Sequence, residues 1–148
     1  MSVGRICVRE VDLAKQAETA WQAAERMHQR AVGTLVVLND AQEPIGIVTD
    51  RDLVERVLAA GLDPNTTVVG DVMTHAPTTV PEDASIESAL SLMRSGRFRR
   101  LPVVDAEGKL IGLLSLDDVL MLLAEEFTQI GNLLERETPR GVAAEPAR

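Results

Sequence analysis

Apolar and polar positions follow two rhythms along this chain, and the same succession of rhythms occurs twice. Ala20, Ala23, Ala24 and Met27 recur at i, i+3, i+4 and i+7, one face of an amphipathic helix. Ile86, Ala89, Leu90 and Met93 repeat that spacing. Each predicted helix is followed by two short apolar runs, TLVVL (34–38) with IGIVT (45–49), and RLPVV (100–104) with LIGLLS (110–115). The turns between them, NDAQEP and DAEGK, carry Asn, Asp, Pro or Gly and predict hairpins. Runs this uniformly apolar predict strands covered on both faces. A second helix is expected from near Asp50 and from near Leu116, and Gly61 followed by Pro64 stops the first of them. A short extended segment should precede each first helix, around 11–14 and 77–80.

GIVTDRD (46–52) and GLLSLDD (112–118) have the same shape, and the shift of 66 positions between them holds without a gap. It carries Met27 onto Met93, Leu35 onto Leu101, Val37 onto Val103, Gly46 onto Gly112 and Asp52 onto Asp118, and it lays RICV (5–8) on DVMT (71–74). The matches fall at apolar and glycine positions, which define a fold. The expected class is α/β (α+β): two β-α-β-β-α units, the first over 4–60, the second over 71–136, with 61–70 (GLDPNTTVVG) as linker. Units of about 60 residues are marginal alone. Two packed about a pseudo-two-fold axis would bury more and leave a cleft between them.

The C-terminal pattern departs from the repeat. Leu116, Leu120, Leu123, Phe127, Ile130 and Leu134 are spaced by fours and threes, a heptad seam. Up to Leu123 this face should pack on the protein's own sheet. Phe127 to Leu134 have no counterpart in the first copy and point to self-association, with a homodimer the expected state. Residues 137–148 (ETPRGVAAEPAR) show no periodicity and read as disordered.

Charge and composition narrow the function. The 148 residues carry a net charge of −8, which disfavours nonspecific binding to phosphate backbones. Trp21, Phe98 and Phe127 are the whole aromatic complement, too few for a base-stacking surface. Cys7 is the single cysteine, so no internal disulfide exists and a reducing compartment fits. No apolar run approaches the length of a membrane span or a signal peptide, so a soluble cytoplasmic protein is expected. His28, His75 and Cys7 lack metal-ligand spacing, and no nucleophile elbow or paired buried carboxylates are visible. An enzyme is not expected.

One motif remains: Gly-x-x-Ser/Thr-x-x-Asp, as Gly46, Thr49, Asp52 and as Gly112, Ser115, Asp118, where an apolar strand turns into a helix. Thr49 and Ser115 fit as N-caps with Asp52 and Asp118 three residues on, a capping box. The same geometry suits a ligand: helix N–H groups and a hydroxyl for phosphate, a carboxylate for ribose hydroxyls, and a glycine for close approach of a flat base. Spacing alone leaves both readings open.

Taken with DVMT (71–74) and VPEDASIESALSLM (80–93), the stretches GTLVVLND…PIGIVTDRDL (33–53) and RRLPVVDAEGKLIGLLSLDDVL (99–120) resemble a tandem pair of CBS domains, the regulatory modules named after cystathionine β-synthase. The resemblance spans about residues 4–125. It implies a stand-alone binding module that takes adenosyl compounds (AMP, ADP, ATP or S-adenosylmethionine) in the cleft between its halves and needs no other cofactor. By that resemblance Asp52 and Asp118 would take ribose hydroxyls and Thr49 and Ser115 would face phosphate. Arg99 and Arg100 would meet phosphates near the centre, and the extended segments at 11–14 and 77–80, Leu13 and Val80 among them, would line the adenine with backbone groups. The output would act on an unknown regulated protein in trans; a ligand-independent dimerisation or interaction module is the alternative.

The copies differ at the motif. Arg51 stands beside Asp52, whereas Asp117 stands beside Asp118, and Arg99 and Arg100 align with Gly33 and Thr34. Unequal sites are expected, the one built on Thr49 and Asp52 being tighter and Arg99 and Arg100 crossing the pseudo-two-fold to serve it.

Overall fold

A computed structural model describes residues 1–137. The expected disorder of 137–148 falls, apart from Glu137, outside the described residues. The first unit contains β1 (Leu13–Ala14), α1 (Ala20–Arg30), β2 (Thr34–Leu38), β3 (Pro44–Thr49) and α2 (Asp50–Leu53), which continues as a π-helical stretch over Val54–Leu58. After the linker come α3 (Val69–Val72), β4 (Thr74–His75), β5 (Val80–Pro81), α4 (Ile86–Gly96), β6 (Arg100–Val104), β7 (Leu110–Ser115) and the long α5 (Leu116–Glu137). The last two residues of the expected linker thus begin α3.

The repeat is exact in register. β1 pairs parallel with β2 and β2 antiparallel with β3, Val36 opposite Ile47; β5, β6 and β7 do the same with Pro102 opposite Leu113. Each hairpin has an irregularity at the same place, after Val37 and after Val103. α1 and α4 begin at hydroxyl caps, Thr19 and Ser85, and both end on a residue in the left-handed conformation, Ala31 (φ 53°) and Arg97 (φ 55°). The stop after Leu58 is a Schellman motif, with Gly61 at φ 70° and the Leu62 N–H donating to the Val57 carbonyl.

The segments leading into the two units are exchanged. Val3 and Gly4 donate backbone hydrogen bonds to Ala84 and Glu82, and Val8 forms a bridge with Leu113 on the second sheet. Val69 and Gly70 donate to Glu18 and Gln16, and β4 joins the edge of β3. The cores follow suit: Val3 is buried with Val80, Leu101, Val103 and Leu114, whereas Val69 and Met73 are buried with Leu35, Val37 and Val48. Each half therefore includes a piece of chain that precedes the other.

The exchange also explains the glycines of the repeated motif. A Cβ at Gly46 would overlap the Met73 thioether, and one at Gly112 would lie 2.7 Å from Cys7 Sγ and 2.9 Å from the Val8 carbonyl oxygen. Both glycines make room for the crossing segment of the other half. The expected role of these glycines beneath a flat base is not what the structure assigns them.

Candidate functional site

The turn from β3 into α2 is closed by a reciprocal pair. Thr49 Oγ1 accepts from the Asp52 N–H at 3.1 Å, and Asp52 Oδ2 accepts from the Thr49 N–H at 2.9 Å. Ser115 and Asp118 repeat this at 3.1 and 2.8 Å. Both capping boxes are therefore formed. The other leading N–H groups of α2 are also occupied: Asp50 donates to the Gly33 carbonyl at 3.0 Å and Arg51 to the Asp50 carboxylate at 2.9 Å. The N–H groups of Asp50, Arg51 and Asp52 are thus not open to a phosphate, contrary to the sequence-based picture. An anion here meets side chains, not the leading N–H groups of α2.

Those side chains are present. Thr49, Asp50, Arg51 and Asp52 line a hollow of about 570 Å³. Its opposite wall comes from beyond the linker: Thr74, Ala76, Pro77 and Thr78, and then Arg97, Phe98, Arg99 and Arg100. Four arginines face two aspartates, so the lining is electropositive in a chain of net charge −8. Arg51 is held by Glu55 at 2.7 Å and Arg99 lies 3.5 Å from Asp117, both on exposed surface where such pairs exchange readily. Asp52 is mostly buried, with Arg56 3.7 Å from its second oxygen. Arg97 was not singled out from sequence; its left-handed helix end turns the chain into this wall.

A second hollow of about 230 Å³ lies at the equivalent place on the other half. Ser115 and Asp118 line it together with Glu10, Val11, Asp12, Gly33 and Thr34, and Arg100 borders both hollows. The nine residues predicted from sequence thus separate into groups. Thr49, Arg51, Asp52, Arg99 and Arg100 converge on the first hollow, and Ser115 and Asp118 on the second. Leu13 and Val80 lie in neither lining. Val80 is sealed in the second core, and Leu13 sits on β1 opposite Val36. The extended chain that reaches the hollows lies just upstream of each strand, at Pro77 and Thr78 and at Val11 and Asp12.

Among the described residues no group of three or more His, Cys, Asp or Glu side chains could hold a metal ion. Cys7 packs against the second core, where burial pushes its thiol above the ordinary value. No described helix is long and apolar enough to cross a membrane.

Comparison with known proteins agrees with the duplicated architecture. The family model described as CBS domain matches twice, at residues 3–59 and 69–125, each match beginning within the exchanged lead-in segment. An uncharacterized protein of Methanopyrus kandleri is 39% identical over 122 residues, a match covering 82% of this chain and 62% of that one. Hypoxic response protein 1 of Mycobacterium tuberculosis is 36% identical over 125 residues, covering 84% and 82%. Its crystal structure, which holds two coordinated zinc ions, superposes with a TM-score of 0.74 at 32% identity over 82% of this chain and 98% of that one. A crystal structure of CBSX2 in complex with AMP gives 0.71 at 31% identity, covering 84% and 96%; CBSX2 is from Arabidopsis thaliana. With two family matches laid over its two structural repeats, the chain belongs to the CBS-domain family, as a tandem pair of CBS domains.

Proposed function

We propose that this protein is a regulatory module that senses an adenine nucleotide, AMP, ADP or ATP, bound in the first hollow. The observation that carries the reading is the composition of that hollow: Thr49 and Asp52 come from the first half, and Arg99 and Arg100 from the second. A ligand whose ribose meets Asp52 and whose phosphate meets the arginines touches both halves at once. Its affinity then depends on how they sit, which is the requirement for a ligand to shift a conformational balance. Four guanidinium groups supply the charge complement a phosphate needs. The AMP complex of CBSX2, a relative of like fold, favours this class of ligand. Calorimetric titration with AMP, ADP, ATP and S-adenosylmethionine tests it. Asp52→Ala should abolish most of the heat of the three nucleotides; undiminished nucleotide binding would remove the assigned site.

A second reading rests on α5. Beyond the repeat, Phe127 is 71% exposed and Ile130 50%, on the heptad face that includes Leu120 and Leu123. This face would join a second copy of the chain into a homodimer, whether or not a ligand is bound, and the ligand signal would pass to a regulated protein in trans. Light scattering on a chain ending at Glu125 tests the dimer. The shortened chain should stay folded and lose mass by half; an unchanged mass would place any association elsewhere.

A further inference from the structure

The two hollows superpose under the 66-residue shift, but their charges do not. Where the first presents Ala76 and Thr78, the second presents Glu10 and Asp12; where the first presents Arg99 and Arg100, the second presents Gly33 and Thr34. Three carboxylates against the shared Arg100 replace four arginines against two carboxylates. Asp12 is held by Arg30 at 2.8 Å. Glu10 is exposed and makes no ion pair among the described residues. A phosphate entering here meets like charge, and a polyphosphate meets more of it.

Other features of the second hollow still suit a ligand. The Ser115–Asp118 pair is intact, and only Oδ2 of Asp118 is engaged in it, which leaves Oδ1 as an acceptor for a sugar hydroxyl. Thr34 lines the hollow, is 6% exposed, and its Oγ1 has no hydrogen-bond partner among the described residues. A buried hydroxyl without a partner is costly, and a neutral N–H or O–H group on a ligand would relieve that cost. The volume is also less than half that of the first hollow.

We propose that the two hollows sort ligands by charge: the second takes an adenosine-type compound without phosphate, neutral or cationic, and leaves phosphorylated compounds to the first. This rests on the nucleotide reading of the first hollow and adds a second input to the same module. A phosphorylated and an unphosphorylated form of one nucleoside would then bind side by side instead of competing.

Calorimetry on the full chain with adenosine, AMP and ATP tests this. Asp52→Ala impairs the first hollow, and Asp118→Ala the second. If Asp52→Ala loosens the fold, Arg99→Glu, at an exposed side chain, repels phosphate from the first hollow with its cap intact. Either first-hollow variant should bind adenosine at least about tenfold more tightly than ATP, and Asp118→Ala should show the reverse order. Adding Glu10→Ala and Asp12→Thr, the residues found at the matching places of the first hollow, should shrink the preference for adenosine by about tenfold. Equal affinity for ATP and adenosine in both first-hollow variants would overturn the sorting while leaving wild-type nucleotide binding in place. If none of the three probes binds the unaltered chain, the nucleotide reading falls and this one with it; if only adenosine fails to bind, the sorting alone falls.

Discussion

α2 and α5 begin alike and end differently. Both start from a strand, a hydroxyl cap and a carboxylate three residues on, and in both the next residue, Leu53 or Val119, packs against the core of its half. Past that turn, the first copy reads Ala-Ala-Gly-Leu-Asp-Pro (59–64) and stops at Gly61; the second reads Glu-Glu-Phe-Thr-Gln-Ile (125–130) and runs on to Glu137. The hollows differ in the same manner: the capping pairs match, and the charged rims do not. The capping pairs and most buried apolar positions are held in common between the copies, whereas the charged rims carry most of what distinguishes them. On the proposed reading, function in this molecule lies in the differences between two nearly identical frameworks.

The largest effect should come from breaking the common framework. Leu35 and Leu101 are each fully buried at equivalent places. Truncating either to alanine should cost about 2–5 kcal/mol, and the two losses should agree to within about 1 kcal/mol. Because each half holds the other's lead-in segment, both variants should melt in a single transition. Two separate transitions, with only the altered half shifted, would show the halves to be independent.

A smaller and unequal effect is expected where the lead-in segments cross. At Gly112 an added methyl meets the Val8 carbonyl and the short Cys7 side chain, neither of which can withdraw far. At Gly46 it meets the long, flexible Met73 side chain. Gly112→Ala should cost about 1–3 kcal/mol, and Gly46→Ala measurably less, as read from denaturant midpoints. Equal losses would mean that the two crossings are equally rigid.

These crossings mark where sequence patterns cease to be informative. Helices α1 and α4, both hairpins and the repeat itself were legible because 3.6- and 2-residue periodicities are local properties of the chain. The alignment of RICV with DVMT was legible too, but nothing local says that Val3 packs on Val80, or Val69 on Val48; long-range pairing leaves no period. Arg99 and Arg100 entered as phosphate contacts through the family resemblance, and the contrast with Gly33 and Thr34 assigned them to the first hollow. Of the segments 11–14 and 77–80, Val11, Asp12, Pro77 and Thr78 reach the hollows while Leu13 and Val80 do not, because a strand can be seen in a sequence, whereas the side of it that faces a hollow cannot. Arg97 carried one available signal: its alignment with Ala31 placed it at a helix end, next to the arginine pair.

The smallest expected effect separates the two first helices. At α1 the capping box is complete: Thr19 Oγ1 accepts from the Gln22 N–H at 3.2 Å, and Gln22 Oε1 accepts from the Thr19 N–H at 3.0 Å. At α4 the Ser88 N–H donates to Ser85 Oγ at 3.1 Å, but the residue three positions on is a serine, whose hydroxyl meets Ser85 Oγ instead of the cap's N–H. Thr19→Ala should therefore cost about 1 kcal/mol, and Ser85→Ala somewhat less. Ser88→Gln installs the longer acceptor that Gln22 provides in the first copy, on an exposed position where nothing need move. It should raise stability by a few tenths of a kcal/mol, a melting shift of about 1–2 °C. If Ser88→Gln lowers the melting temperature, the short acceptor at α4 is not a missing half of a cap but a requirement of the contact that Ser85 makes with Ser2 of the exchanged N-terminal segment.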